Sequence, residues 1–392
     1  MRSVELFAGA GGLALGMSRA GFRHAAVVEW DHDSCETFRH NQRLHARDVS
    51  NWPLFQGDAR SFDFKTVGDN VVVVSGGPPC QPFSMGGKAR GHMDERDMFP
   101  QAVRAVRELQ PKAFIFENVK GLLRQSFAQY FEYICLQLSH PELTRRPPET
   151  WEQHQTRLDQ HHKARRQRST YTVAFRLLNA ADFGVPQRRE RVFFVGFRSD
   201  LGTRWRFPEA THSEAAMLRD QWVTGHYWDR HKIGKKQRPE PPARVAAQVA
   251  KHQELDLFNT TPWATVRDAI SDLPDPETVQ QHGIPNHSFN PGARSYPGHT
   301  GSPLDLPAKT LKAGDHGVPG GENMLRRPDG SVRYFTIREA ARLQTFPDDF
   351  VFPGSWTETM RQLGNAVPVR LGELVARSVS DILSLQDERA AA

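Results

Sequence analysis

One cysteine stands in a setting that suits chemistry. It lies in Gly76-Gly77-Pro78-Pro79-Cys80-Gln81-Pro82-Phe83-Ser84, with two glycines before it and prolines on both sides. Prolines fix φ and glycines release it, so the stretch reads as a stiff, shaped turn. It follows residues 70–75, whose four consecutive valines have the pattern of a strand buried on both faces in a parallel sheet. Open α/β sheets bind ligands beyond the carboxyl ends of their strands, which is where Cys80 then stands. A free cysteine is more ordinarily a small buried core residue. With these neighbours, Cys80 reads as a nucleophile.

Other candidate groups sit at similar places in the pattern. Residues 111–116 form a further apolar strand, closed by Glu117-Asn118-Val119. A carboxyl group beside apolar strands can have a raised pKa and give up a proton to a substrate; a helix cap or a solvated side chain is the competing reading. Residues 171–178 and 191–197 read as two adjacent strands. Between them, Gln187, Arg189 and Arg191 alternate and would share one face. Arginines there offer a fixed fork of donors for a carbonyl or anionic oxygen.

These groups need a sheet to position them, and the first sixty residues supply its start. Residues 4–12 pass from a strand into the turn Phe7-Ala8-Gly9-Ala10-Gly11-Gly12, followed by a helix to Gly21. Such a turn brings backbone N–H groups close to a ligand. A second strand, residues 24–28, ends in Glu29-Trp30-Asp31. An acidic residue about 20 positions past a glycine turn is placed to hold ribose hydroxyls, and Trp30 offers a flat face for an adenine. Gly57-Asp58-Ala59 adds a carboxylate suited to an adenine amino group. The three elements in this order point to an adenosine-containing cofactor. The glycine spacing is not the full G-x-G-x-x-G of dinucleotide enzymes.

Composition limits the remaining classes. The 392 residues allow two domains, and no apolar run approaches a membrane span. No signal peptide is read at the start, so a cytoplasmic location is expected. Three cysteines, Cys35, Cys80 and Cys135, exclude a disulfide framework and a cysteine-rich zinc site, and no metal site is expected. A net charge of +6 suits a polyanionic partner without requiring one. Residues 85–97 read as a mobile loop able to close over a substrate. Residues 139–170 read as a polar excursion with at least one solvated helix. From 198 to 333 the apolar strands thin out, and residues 231–238 and 308–317 are candidate nucleic-acid contacts. Thr336 and Glu339 have the spacing of a capping box, and an amphipathic helix is expected from about residue 370.

In order along the chain, these motifs resemble the DNA (cytosine-5)-methyltransferases of bacterial restriction–modification type. The matching pieces are residues 7–12, Glu29-Trp30, Gly57-Asp58, Gly77-Pro78-Pro79-Cys80-Gln81, Glu117-Asn118-Val119, Gln187-Arg188-Arg189-Glu190-Arg191, residues 338–344 and Gly364-Asn365. The resemblance implies a Rossmann-like α/β methyltransferase sheet with a smaller, irregular target-recognition domain. It assigns residues 1–197 to catalysis and cofactor binding, 198–333 to target recognition, and 334–392 to a return to the catalytic domain. It implies methyl transfer from S-adenosylmethionine to C5 of cytosine in a specific double-stranded DNA sequence, on a flipped-out base. Cys80 would add to C6, Glu117 would bond N3, and Arg191 would hold O2 with Arg189 in support. Phe7, Gly9, Gly11, Glu29, Trp30, Asp58, Ala59, Pro79, Asn365 and Val367 match cofactor-binding positions. No obligatory protein partner is expected. The alternatives are an RNA (tRNA) cytosine-5 methyltransferase of the same fold and a catalytically silent DNA-binding module.

Overall fold

A computed structural model of the chain describes residues 1–46, 48–79, 97–164, 169–252, 260–279, 283–313 and 321–391. Contacts divide it into two compact units. The first is Met1–Leu178 with Glu190–Pro208 and Gly372–Ala392; the second is Asn179–Arg189 with Glu209–Leu371.

Strand and helix alternate through the first unit, as the spacing of apolar runs and glycine turns dictates. β1 (Arg2–Leu6), α1 (Gly12–Arg19), β2 (Arg23–Glu29), α2 (His32–Arg43) and β3 (Leu54–Gln56) come first. β4 (Val71–Gly76), α3 (Phe99–Leu109) and β5 (Ala113–Val119) follow, then α4 (Ala128–Ser139), α5 (Trp151–Ala164), β6 (Tyr171–Asn179) and β7 (Glu190–Arg198). They build one seven-stranded sheet in the order β3-β2-β1-β4-β5-β7-β6. The strands from β3 to β5 pair in parallel, and β7 enters antiparallel to β5. This is the expected Rossmann-like sheet. Its order reverses between β1 and β4, so the ligand crevice belongs at the carboxyl ends of those two strands.

Close packing at that reversal depends on glycine. A Cβ on Gly76, the last residue of β4, would lie 2.3 Å from the Leu6 carbonyl oxygen in β1. In β7, a Cβ on Gly196 would lie 2.2 Å from the Phe114 ring. α2 starts where Asp31 caps it, its carboxylate accepting from the Ser34 N–H at 2.8 Å.

The excursion is more tightly packed than a solvated helix. In α5, Leu158 joins the main apolar core, and His154 and Gln155 are buried with it. Trp151 packs on Tyr133 of α4 with ring centroids 5.6 Å apart.

The second unit is irregular. Ser302–Pro303, Met324–Arg326 and Val332–Tyr334 make one small sheet, and His212–Ser213 with Thr261–Pro262 another. Helix Ile337–Leu343 opens with the expected capping box: Thr336 Oγ1 accepts from the Glu339 N–H at 3.1 Å, and Glu339 accepts from the Thr336 N–H at 2.9 Å. Helix Val369–Ala391 ends the described chain, its residues from Gly372 belonging to the first unit. No described helix is long and apolar enough to cross a membrane.

A titratable group lies in the middle of this sheet. Glu5 of β1 is 1% exposed, stands opposite Ser75 of β4, and accepts a hydrogen bond from its hydroxyl. Burial pushes its carboxyl up to about 8, against the opposing pull of the Ser75 bond. A folded-state pKa above the unfolded one stabilises fully below the unfolded value and is lost as pH rises through the folded value. The stabilising window of protonated Glu5 therefore closes between the unfolded value of 4.5 and about 8. Glu5→Gln stays neutral throughout. Between pH 5 and pH 9, unfolding free energies should shift in favour of the variant by roughly 2–4 kcal/mol. Parallel pH profiles for variant and wild type would contradict this.

Candidate active site

The carboxyl ends of β4 and β5 bring the first candidate residues together. β5 runs on past its last pairing with β4, Gly76 with Phe116, and its extra residues Glu117 to Val119 pair only with β7 among the described strands. Glu117 is therefore inside the strand rather than after it, in the part that overhangs β4. Val119 is opposite Arg191, two residues along from the pair Glu117–Phe193. Residues two apart share a face, and the Arg191 Nε meets the Glu117 carboxylate at 2.7 Å. Glu117 is buried and Arg191 nearly so, their side chains being 8% and 11% exposed. Burial lowers the Arg191 pKa, with Glu117 opposing the shift, but a guanidinium stays charged over any working pH.

The turn after β4 is fitted to this pair. A Cβ on Gly77 would stand 3.3 Å from a Glu117 carboxylate oxygen, so a glycine lets the turn pass close to it. The buried Asn118 donates from Nδ2 to the Pro78 carbonyl at 2.9 Å. The Met98 N–H bonds the Pro79 carbonyl at 3.1 Å, and Pro79 itself is exposed. Cys80 to Arg96, and with them all of the expected closing loop but Asp97, lie outside the described residues. What the structure describes is the anchorage of both flanks, at Pro79 and at Met98.

The cofactor candidates of the first unit gather at the neighbouring strand ends. Phe7, Gly9 and Gly11 have φ of 56°, 53° and 86°. For Phe7 this is an uncommon left-handed conformation, costing roughly 1–3 kcal/mol. A Cβ on Gly9 would meet nothing within 4 Å, so the turn faces open space there. Glu29 ends β2 and is buried; its carboxylate accepts from the N–H groups of Gly9 at 2.6 Å, Trp30 at 2.9 Å and Asp31 at 2.8 Å. Burial raises its pKa, and the Asp31, Gly9 and Trp30 N–H groups pull it back. A carboxylate has about four acceptor sites, so Glu29 braces the glycine turn and keeps room for a hydroxyl. Trp30 is 73% exposed, the largest exposure among the large apolar side chains described. Asp58 caps a short 3-10 helix, accepting from the Arg60 N–H at 2.8 Å, and Ala59 is buried beside it. Open backbone, an exposed flat ring and buried carboxylate oxygens together fit an adenosine. Asn365, exposed, and Val367, buried, belong to the second unit.

The expectation that Gln187, Arg189 and Arg191 share one face is not met. β7 begins only at Glu190, so alternation starts after the first two. Gln187 and Arg189 are both wholly buried in the second unit. Gln187 donates to the Leu343 carbonyl at 3.3 Å and accepts from the Leu311 N–H at 3.0 Å. Arg189 donates to the carbonyls of Leu311 at 3.0 Å and Gly364 at 2.6 Å. Of the three, Arg191 is the one beside Glu117.

Comparison with known proteins gives the family of the chain. Residues 1–141 and 152–381 match the family described as C-5 cytosine-specific DNA methylase. The chain belongs to the C-5 cytosine-specific DNA methylases. The type II methyltransferase M.NgoMIV of Neisseria gonorrhoeae is 31% identical over 98% of this chain and 99% of its own length. M.Eco47II of Escherichia coli is 30% identical over 98% of this chain and 80% of its length. The crystal structure of the S. pombe Dnmt2 methyltransferase has the same fold, with a TM-score of 0.56 at 15% identity over 98% of both chains. The break in the family match, residues 142–151, falls within the excursion.

This cytosine-5 methylase acts on DNA and uses S-adenosylmethionine. Sequence reasoning gave no role to two buried polar residues of these strands. Asn118 was quoted in Glu117-Asn118-Val119 without a role of its own, and it ties the turn before Cys80 to β5. Glu5 was given no role in its strand, and it is buried against Ser75. An Asn or Glu within an otherwise apolar strand is the available signal, because burial then demands a partner.

The ion pair is testable by stability alone. Glu117→Ala leaves the Arg191 guanidinium buried without this carboxylate, a change that costs roughly 3–5 kcal/mol. Urea unfolding should show that loss, and adding Arg191→Met should recover most of it. A loss below about 1 kcal/mol for Glu117→Ala would mean that the pair is solvated.

Proposed function

We propose that this methylase modifies cytosine within a specific double-stranded DNA sequence, and that Cys80, Glu117 and Arg191 act on the flipped-out base. The observation that carries the reading is the buried Glu117–Arg191 pair at 2.7 Å, lying against the turn that leads into Cys80. Cytosine C5 is a poor nucleophile until a group adds to C6. The Cys80 thiolate makes that addition, forming the S–C6 bond as the C5–C6 π electrons move to C5. Glu117 bonds N3, drawing electron density from the ring, while Arg191 donates to O2. Separating the two side chains around a base exchanges their mutual ion pair for one contact each with the substrate. Arg189 supports from the second unit by holding backbone carbonyls, so it is a positioning residue in this scheme. S-adenosylmethionine supplies the methyl group to C5 when bound. Loss of the C5 proton then re-forms the double bond and expels the Cys80 thiolate.

Phe7, Gly9, Gly11, Glu29, Trp30, Asp58, Ala59, Pro79, Asn365 and Val367 are the residues proposed to hold the cofactor. Residues 198–333 are proposed to read the DNA sequence; Lys232, Lys235 and Lys236 are exposed there and suit phosphate contacts, whereas Lys312 is paired with Glu322 at 3.0 Å. Relatives named type II methyltransferases support a role in protecting DNA against a cognate restriction enzyme, and a cytoplasmic, nucleoid-associated location.

Two experiments test this. Calorimetric titration of Glu29→Ala with S-adenosylmethionine should show a loss of roughly 1.5–3 kcal/mol in affinity; unchanged affinity would remove Glu29 from the cofactor site. For the chemistry, duplex DNA carrying 5-fluorocytosine at the target should trap the enzyme, because fluorine cannot leave C5 as a proton does. Denaturing gels should show a covalent adduct that requires cofactor and is lost in Cys80→Ser. An adduct mapping to Cys35 or Cys135, or equal methylation of tRNA, would overturn the assignment.

A further inference from the structure

The excursion contains four histidines, His140, His154, His161 and His162. Three of them meet at one point, where the end of α4 approaches the end of α5. His154 is satisfied by protein groups: it faces the Tyr133 hydroxyl at 2.8 Å and the Leu143 carbonyl at 2.8 Å. His140 is not. It is wholly buried, and its Nε2 is 3.0 Å from His162 Nδ1. Its Nδ1 makes no hydrogen bond and faces the Glu142 carboxylate at 3.5 Å. Glu142 is held in place by its other oxygen, which accepts from Thr170 Oγ1 at 2.8 Å. His161 stands edge-on to His140, with ring centroids 5.0 Å apart and planes at 88°.

When His140 donates from Nε2 to His162, its Nδ1 carries a lone pair pointed at a carboxylate. Two acceptors then face each other, one on a buried imidazole and one on a carboxylate whose side chain is 45% exposed, and a cation entering from the Glu142 side relieves the arrangement. His140, Glu142 and His161 each bring one ligand atom within 4.8 Å of the others, the single such group of three His, Cys, Asp or Glu side chains among the described residues. Bonds of about 2.0–2.2 Å to a tetrahedral Zn²⁺ place ligand atoms roughly 3.4 Å apart. The His140–Glu142 separation already matches. His161 is half-buried on the last turn of α5 and needs a movement of up to about 1.4 Å on that scale.

We propose that His140, Glu142 and His161 form a binding site for a divalent transition metal ion, Zn²⁺ by ligand type. Two imidazoles and one carboxylate suit zinc and leave a fourth position for water. The His140–His162 hydrogen bond serves as the outer contact that fixes the tautomer and aims Nδ1 at the ion. The ion ties the end of α4 to the end of α5. The site acts on the excursion and is independent of the catalytic reading.

Full-length protein freed of metal with a chelator and titrated with Zn²⁺ against a chromophoric chelator tests this. Wild type should bind one equivalent tightly, and its thermal midpoint should rise on zinc addition, because an ion bound by the folded state alone stabilises that state. His161→Ala, at a half-buried position, and the conservative Glu142→Gln should each weaken zinc binding at least about tenfold and abolish the thermal shift. The Cys80→Ser variant should bind zinc as wild type does, and Co²⁺ substitution should give no thiolate-to-metal absorption. No binding by wild type, binding unaffected by His161→Ala, or binding lost in Cys80→Ser would overturn the proposal.

Discussion

A buried ion pair between neighbouring antiparallel strands governs how this site is built. Taking the Glu117 carboxylate and the Arg191 guanidinium out of water costs several kcal/mol per ion, and their attraction in the interior offsets this only with good geometry. The geometry comes from β7 entering the sheet antiparallel to β5 with Val119 opposite Arg191. A parallel strand at that place would put different residues opposite Glu117. Such a pair is a poor device for stability alone, since apolar residues of the same volume often do as well. It leaves two desolvated, oppositely charged groups side by side where β5 overhangs β4.

Much of the local structure follows from keeping that pair where it is. The turn after β4 must pass it closely, which Gly77 permits, and must not drift, which the Asn118–Pro78 bond prevents. Gly76 permits β1 and β4 to approach, and that approach aligns the glycine turn after β1 with the cysteine turn after β4. Glu29 then stiffens the first turn through the Gly9 N–H. Each fixed point is a hydrogen bond from a buried side chain to backbone, so the loops at this edge inherit the rigidity of the strands.

How legible this was depended on how local the cause is. The apolar strands, the glycine turns, the capping box at Thr336 and the turn around Cys80 were readable because propensity and spacing act over a few residues. The resemblance assigned Glu117 and Arg191 to two atoms of one base, but their pairing with each other depends on a register between segments more than seventy residues apart, which no window reveals. Alternation misled at Gln187 and Arg189 because it presumes a strand, and the strand starts at Glu190. The excursion read as solvated because its composition is polar, yet a few residues, Trp151, His154 and Leu158, suffice to dock α5. The meeting of His140 with His161 was hidden for the same reason: helix ends twenty residues apart come together only once both helices pack.

The second unit poses the opposite physical problem, since it has little regular structure to satisfy its own backbone. Buried carbonyls there need donors from elsewhere, and arginines supply them. Arg338, wholly buried, donates to the carbonyls of Pro285 at 3.2 Å, Pro347 at 3.2 Å and Phe350 at 3.0 Å. Arg189 does the same for Leu311 and Gly364. Arg333 pairs with Glu339, the residue that also closes the capping box, at 2.6 Å. A guanidinium offers five donors in a rigid plane, so one side chain can fix several loop segments that share no ladder. This gives the motif arginines a structural meaning beside any chemical one.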